Sequence, residues 1–172
     1  MSKILVTGSE GLIGKKICNY LKKKNQVFKL DAKKNINLCN EEDVKKYFKK
    51  KNNFDYLINL HGANEHVGLK KNKSSYIKDD KELFNHFFYN NVFSIYLTNK
   101  YFIKYCKNAR GILNFSSIYS LVAPKHKIYK EPKNIFYVSS KFAVNGLTKY
   151  FASMYGKKLN INTIACHGVA WK

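Results

Sequence analysis

The sequence predicts an α/β protein built on a doubly wound, mostly parallel sheet with helices on both faces. Three observations lead there. Short β-branched apolar runs alternate with segments of helical periodicity, a glycine-spaced turn joins the first run to the first helix, and no repeat or low-complexity linker divides the 172 residues. That length allows one domain, spanning 1–172, with a real core.

KILVTG, from Lys3, reads as the first strand, and LIGKKICNYLKKK after it places Ile13, Ile17 and Leu21 on one helical face. QVFKLD (26–31) reads as a second strand. EEDVKKYFKK (41–50) reads as a helix with Val44, Tyr47 and Phe48 on one side, and FDYLINLHGA (54–63) as a buried strand. The stretch from His66 to Lys81, rich in Lys, Ser, Asn and Asp, lacks periodicity and reads as a loop. One long helix is expected over 82–106, a strand in GILNFSS (111–117), a loop over 121–134, a helix over 136–152 and a last strand in NINTIAC (160–166). A sheet of this kind binds ligands beyond the carboxyl ends of its strands, near the switch point.

The formal net charge is +21, from 32 Lys+Arg against 11 Asp+Glu. Arg110 is the only arginine, and the lysine excess accompanies abundant Asn, Ile, Tyr and Phe, as an AT-rich coding sequence would produce. Nucleic-acid readers rely on the bidentate arginine fork. The lysines are scattered along helix-like segments and read as solvated faces, so no specific nucleic-acid partner is expected. Cys18, Cys39, Cys106 and Cys166 show neither close pairing nor metal-ligand spacing, and the N-terminus turns polar too early for a secretory leader. Reduced thiols in a cytoplasmic protein are expected. No apolar run reaches the roughly 18 residues a membrane span needs, so no membrane partner is expected.

TGSEGLIG places Gly8, Gly11 and Gly14 three apart between a strand and a helix. Glycines there permit a tight turn, let a pyrophosphate approach the backbone and let the helix pack closely on the strand, while the helix N-terminus supplies positive potential. Asp31 ends the second strand, where a carboxylate can accept hydrogen bonds from both ribose hydroxyls of NAD and would repel the extra phosphate of NADP. NAD is therefore favoured over NADP. A plain turn aspartate is the alternative, and Lys33 and Lys34 would soften the discrimination. Tyr137 and Lys141 lie four apart on a helix, a spacing that 13 tyrosines and abundant lysine can produce by chance, so position must decide.

Taken in order, TGSEGLIG, Asp31, NLHGA, NNVFS, NFSS and YVSSK resemble the marks of the short-chain dehydrogenase/reductase superfamily, from Ser2 to about Ala170. The resemblance implies a Rossmann-like dinucleotide-binding domain. It makes Tyr137 the general acid/base, Lys141 the ligand of the nicotinamide ribose that lowers the tyrosine pKa, Ser117 the donor to the reacting carbonyl, and Asn91 the holder of a proton-relay water. Ser117 is preferred to Ser116 because the family's catalytic serine is the second of the pair; a strand-end serine bonding local backbone is the other reading. Gly8, Glu10, Gly11, Leu12, Ile13, Gly14 and Asp31 would hold the cofactor. Tyr137 and Lys141 would contact it too. Leu38 would lie with its backbone near the adenine, and Asn59 and Gly62 would run beside the cofactor and steady the sheet. The chemistry is coherent: a phenol of pKa about 10 is a sluggish base, and a neighbouring ammonium favours its phenolate.

The sequence also departs from the family pattern. Leu60 and His61 stand where Asn-Ala is commoner, and His167-Gly168 replaces the usual Pro-Gly. His61 and His66 have no further ligands at metal-site spacing, so no metal is expected. The chain stops after CHGVAWK, short of the family's further strand and substrate-covering segment, as a piece of a longer protein or as a shortened one. Glycine spacing and SSIYS resemble the extended, epimerase-containing branch, whereas NLHGA, NNVFS and LNINTIACHG resemble the shorter oxidoreductases. SSIYSLVAPKHKIYK and YVSSKFAVNGLTKYFA resemble bacterial oxidoreductases of flagellin modification and nonulosonic-acid synthesis. The expectation is an NAD-dependent oxidoreductase interconverting an alcohol and a carbonyl on a small molecule, a sugar or nucleotide sugar. A nucleotide-sugar epimerase or dehydratase, and a truncated noncatalytic dinucleotide binder, are the alternatives. A homo-oligomer joined through the helices carrying Asn91 and Tyr137 is implied.

Overall fold

A computed structural model describes residues 1–31, 36–64, 80–128 and 132–168. Five strands, β1 (Lys3–Thr7), β2 (Gln26–Leu30), β3 (Tyr56–Asn59), β4 (Gly111–Ser117) and β5 (Asn160–Cys166), form one sheet in the order β2-β1-β3-β4-β5. Every pairing is parallel. The chain winds outward from β1 to β2, then returns past β1 to β3, so the topological switch point lies between the carboxyl ends of β1 and β3.

Helices α1 (Leu12–Leu21), α2 (Glu41–Lys50), α3 (Asp80–Phe88), α4 (Ser94–Tyr105) and α5 (Ile135–Tyr155) connect the strands. Side chains of a strand alternate between faces, and β1 shows which helices lie where. Leu5 joins Leu57, Ile112 and Ile161 in the large core with Phe48 of α2, Phe102 of α4 and Phe151 of α5. Ile4 and Val6 point the other way, to Cys18 and Leu21 of α1. The sheet is thus wound on both faces.

The helix expected over 82–106 begins two residues earlier and is interrupted. Tyr89–Phe93 form one π-helical turn between α3 and α4. Asn90 Nδ2 donates to the His86 carbonyl at 2.8 Å, the acceptor that a regular helix assigns to the Asn90 amide. Such widened turns recur at functional sites. The loop over 121–134 holds a 3-10 turn at His126–Ile128, while its residues 129–131 lie outside the described residues. So do Lys33, Lys34, His66 and most of the stretch read as a loop from His66 to Lys81.

A buried polar row crosses the apolar body. Asn59 Nδ2 donates to Asn99 Oδ1 on α4 (2.9 Å) and to Asn114 Oδ1 on β4 (2.8 Å), and Asn114 Nδ2 donates to Thr148 Oγ1 on α5 (3.0 Å). Because buried polar atoms must be paired, these bonds fix the sheet against both helices with a specificity that apolar packing lacks. Asn59→Leu strips two acceptors of their donor and is expected to lower stability by on the order of 3 kcal/mol, read as a shifted urea midpoint with an unchanged slope.

Candidate active site

The ends of β1, β3, β4 and β5 open onto a cavity of about 420 Å³. Its first wall is the glycine turn. Gly8 has φ +66°, and a Cβ there would lie 2.5 Å from the His61 amide nitrogen, so the turn is glycine both for its left-handed backbone and for contact with the next strand. The Gly11 amide donates to the Gly8 carbonyl at 3.1 Å, closing the turn. A Cβ on Gly14 would run into the Gly8 carbonyl.

Helix α1 starts without a side-chain cap and without an acidic residue in its first turn. Helix α2 differs: Asn40 caps it, accepting from the Asp43 amide, and Glu41, Glu42 and Asp43 answer its dipole. Leu12, Ile13 and Gly14, whose amides open this uncapped helix, line the cavity, and an uncapped helix start has the chemistry of an anion receptor. Asp31 is buried behind the turn and accepts from the Glu10 amide through Oδ2 at 3.1 Å. The Glu10 carboxylate itself reaches Lys29, at 3.4 Å.

The second wall comes from β4 and α5. Asn134 caps α5 by accepting from the Phe136 and Tyr137 amides, which places Tyr137 in the first turn and Lys141 one turn deeper. Ser117, Tyr137 and Lys141 all line the cavity. The Lys141 ammonium sits 5.7 Å from the centre of the Tyr137 ring. It is in no ion pair among the described residues. Burial pushes its pKa down to about 8, against a small opposing pull from Cys166. Ser116 donates its hydroxyl proton to the Lys141 carbonyl at 3.0 Å and is committed to the backbone. Ser117 Oγ instead accepts from the Tyr119 amide at 3.3 Å, leaving its proton for a ligand.

Asn91, in the π-helical turn, is fully buried. Its Oδ1 accepts from the Ala63 amide at 2.6 Å, and its Nδ2 donates to Ser140 Oγ at 2.9 Å; Ser140 in turn donates to the Tyr137 carbonyl at 2.7 Å. A Cβ on Gly62 would lie 2.8 Å from Asn91 Oδ1 and 3.6 Å from Lys141 Nζ, so glycine is what allows β3, the π-turn and the lysine to meet.

The structure therefore brings Gly8, Gly11, Leu12, Ile13, Gly14, Gly62, Ser117, Tyr137 and Lys141 to one cavity. The rest stand behind it. Glu10, Asp31 and Asn91 brace its walls, Asn59 lies in the polar row beneath the sheet, and the Leu38 side chain is buried in the large core. Residues to which the sequence gives no site role also line it, including Phe115, Lys133 and Cys166. Nothing local in the sequence marks them, since they meet only when the strand ends align.

His61 is the most informative of the residues given no role beforehand. Its Nε2 lies 2.9 Å from Ser94 Oγ, whose own proton goes to the Asn90 carbonyl at 2.7 Å. The ring therefore donates from Nε2, and its Nδ1 faces the Thr7 hydroxyl, which also reaches Asn59 Oδ1 at 3.1 Å. A neutral imidazole clasps the end of β1 to the start of α4. Burial, assisted by the Lys141 ammonium, pushes its pKa down to about 3. Among the described residues no cluster of three or more His, Cys, Asp or Glu could hold a metal.

Fold and cavity together define a dinucleotide-binding α/β protein of the Rossmann type. A family model described as enoyl-(acyl carrier protein) reductase matches residues 13–170, and the chain belongs to that family within the short-chain dehydrogenase/reductase superfamily. No curated protein sequence matches it significantly. A short-chain dehydrogenase from Leptospira borgpetersenii serovar Hardjo-bovis with bound NAD+ superposes with TM-score 0.79 at 24% identity, over 99% of this chain and 72% of that one. A 4-hydroxyisoleucine dehydrogenase complexed with NADH gives 0.74 at 26%, over 96% and 74%. A short-chain dehydrogenase from Burkholderia cenocepacia J2315 with NADP gives 0.78 at 20%, over 95% and 70%. No helix of the described residues is long and apolar enough to cross a membrane.

The histidine clasp has a pH signature. His61 is neutral in the fold but ionises near 6.5 in the unfolded chain. Its contribution is complete above about pH 6.5 and is lost as pH falls from there toward about 3. Denaturation at stepped pH should show this decline in the wild type, and His61→Gln, which does not titrate, should flatten it.

Proposed function

We propose that the chain is one NAD-dependent oxidoreductase domain that interconverts an alcohol and a carbonyl on a small molecule. One observation carries the reading. The lysine ammonium, the tyrosine ring and a serine hydroxyl with an uncommitted proton face the same cavity as an uncapped, glycine-flanked helix N-terminus.

The residues fit a nicotinamide dinucleotide. The amides of Leu12, Ile13 and Gly14 suit the pyrophosphate, and Asp31, oriented by the Glu10 amide, suits the adenosine ribose. Lys141, buried without a carboxylate partner among the described residues, suits the hydroxyls of the second ribose. When bound, the nicotinamide supplies or accepts the hydride. Tyr137 gives its phenolic proton to the substrate oxygen in reduction and takes it in oxidation. Ser117 donates to that oxygen, and the Lys141 ammonium favours the phenolate. Asn91 holds Ala63 and Ser140, and so steadies the first turn of α5 that presents Tyr137. The loop resemblance to flagellin-modification enzymes supports a sugar or nucleotide-sugar substrate, and an intracellular setting accords with the free cysteines.

A second copy is proposed to pack on α5. Ile135, Phe142 and Tyr150 are exposed along it, and Gly146 among them has open space where a side chain would project. Light scattering should report a dimer or larger assembly that Phe142→Glu dissociates; a wild-type monomer would remove this contact.

Tyr137→Phe is expected to lower turnover about a thousandfold with little change in NADH affinity, followed by nicotinamide absorbance over a panel of amino-sugar and polyol substrates. Undiminished turnover would refute the assignment. Asp31→Ser is expected to shift the NADH to NADPH affinity ratio at least about tenfold toward NADPH, since it removes the carboxylate that repels the extra phosphate.

A further inference from the structure

Charge is distributed over the folded chain differently from its distribution along the sequence. In a parallel sheet every strand starts at the same edge, so the turns leading from each helix into the next strand collect there. In this chain those turns carry cations. Three exposed lysines, 22–24, lead into β2, and Lys3 opens β1. Lys49, Lys50 and Lys51 lie before β3. Lys107 and Arg110 lie before β4, and Lys157 and Lys158 before β5.

Backbone bonds join this edge into one line. The Gln26 amide donates to Ser2 (2.9 Å), Asp55 to Lys3 (2.8 Å), Arg110 to Asp55 (2.7 Å) and Asn160 to Arg110 (3.0 Å). The cationic groups therefore follow one another in strand order, about 4.8 Å per strand. Asp55 is the only carboxylate in these turns, and its Oδ2 is taken by the Lys3 amide at 2.6 Å. Among the described residues the ion pairs lie elsewhere, at Lys29–Glu10, Lys45–Glu42 and Lys100–Glu41. The other described acidic residues gather at the opposite end, in the first turns of α2 and α3 and at Glu10 and Asp31.

A cation near each helix end answers the macrodipole. Runs of three, at 22–24 and 49–51, exceed that need. Lysine ammoniums are point charges that attract phosphate without reading bases, and a line of them matches a linear polyanion better than a plane of lipid headgroups. Tyr20, 73% exposed one turn from Lys24, adds a ring on which a base can stack. We propose that this strand-start edge binds the sugar-phosphate backbone of single-stranded nucleic acid without sequence preference, at the end of the sheet opposite the cavity. The surface owes nothing to the oxidoreductase reading and stands or falls apart from it.

Fluorescence anisotropy with a labelled thymidine oligonucleotide tests it at about 50 and 150 mM salt. Lys23→Gln, Lys50→Gln and Lys158→Gln together should weaken binding at least about tenfold and reduce the salt slope by about two. A control triple set farther back on the helices that lead into those turns, Lys16→Gln, Lys46→Gln and Lys149→Gln, removes the same charge and should cost distinctly less, within about twofold. All six lysines are exposed, so neither triple disturbs the core. Equal losses in the two triples would show net charge alone and overturn the proposal. So would absence of wild-type binding at the lower salt, or binding confined to phosphatidylserine vesicles.

Discussion

The site depends on the close approach of the β1 turn to the end of β3. No side chain fits between Gly8 and the backbone of Leu60 and His61, and the left-handed Gly8 backbone directs the chain into α1 at that point. Residues 60–63 each use this seam differently. The Leu60 amide donates to the Thr7 carbonyl at 3.1 Å, extending the ladder, and His61 clasps Thr7 to Ser94. Gly62 makes room for Asn91 and Lys141, and the Ala63 amide holds Asn91. Four consecutive residues thereby set the distance between the glycine turn and the π-helical turn.

Two kinds of packing share the labour of keeping that seam rigid. Aromatic side chains such as Phe48 and Phe102, 6.3 Å apart edge to face, fill the volume between sheet and helices. They set separation but not register, because apolar contact is non-directional. The asparagine row from Asn59 to Thr148 supplies direction. The buried Lys141 ammonium departs from this economy of paired groups. Its depressed pKa records the cost of desolvation, and a ligand accepting its protons would offset that cost.

The strand and helix pattern was legible because burial imposes period on the sequence: β1 and β3 read as apolar runs, and α2 as an amphipathic stripe. The glycine turn and the tyrosine-lysine pair were legible because their spacing is local, three residues and four. The π-helical turn was not, since no local period marks it; it shows only as a widened turn in which the Asn90 side chain bonds the His86 carbonyl. Nor was the role of His61, which by sequence is merely a departure from a motif and acquires its partners from residues 54 and 33 positions away. The lysines read as scattered because the turns that bear them are far apart along the chain.

By itself, then, the sequence determined the order of elements, the cradle and the two helical residues of the site, all of which rest on neighbours within a few positions. Tertiary structure alone decided what Ser116, Asn59 and Asn91 hold, and that the lysine-bearing turns share one edge. Those outcomes follow from parallel strands in register, which place distant residues side by side by a geometry that no local spacing encodes.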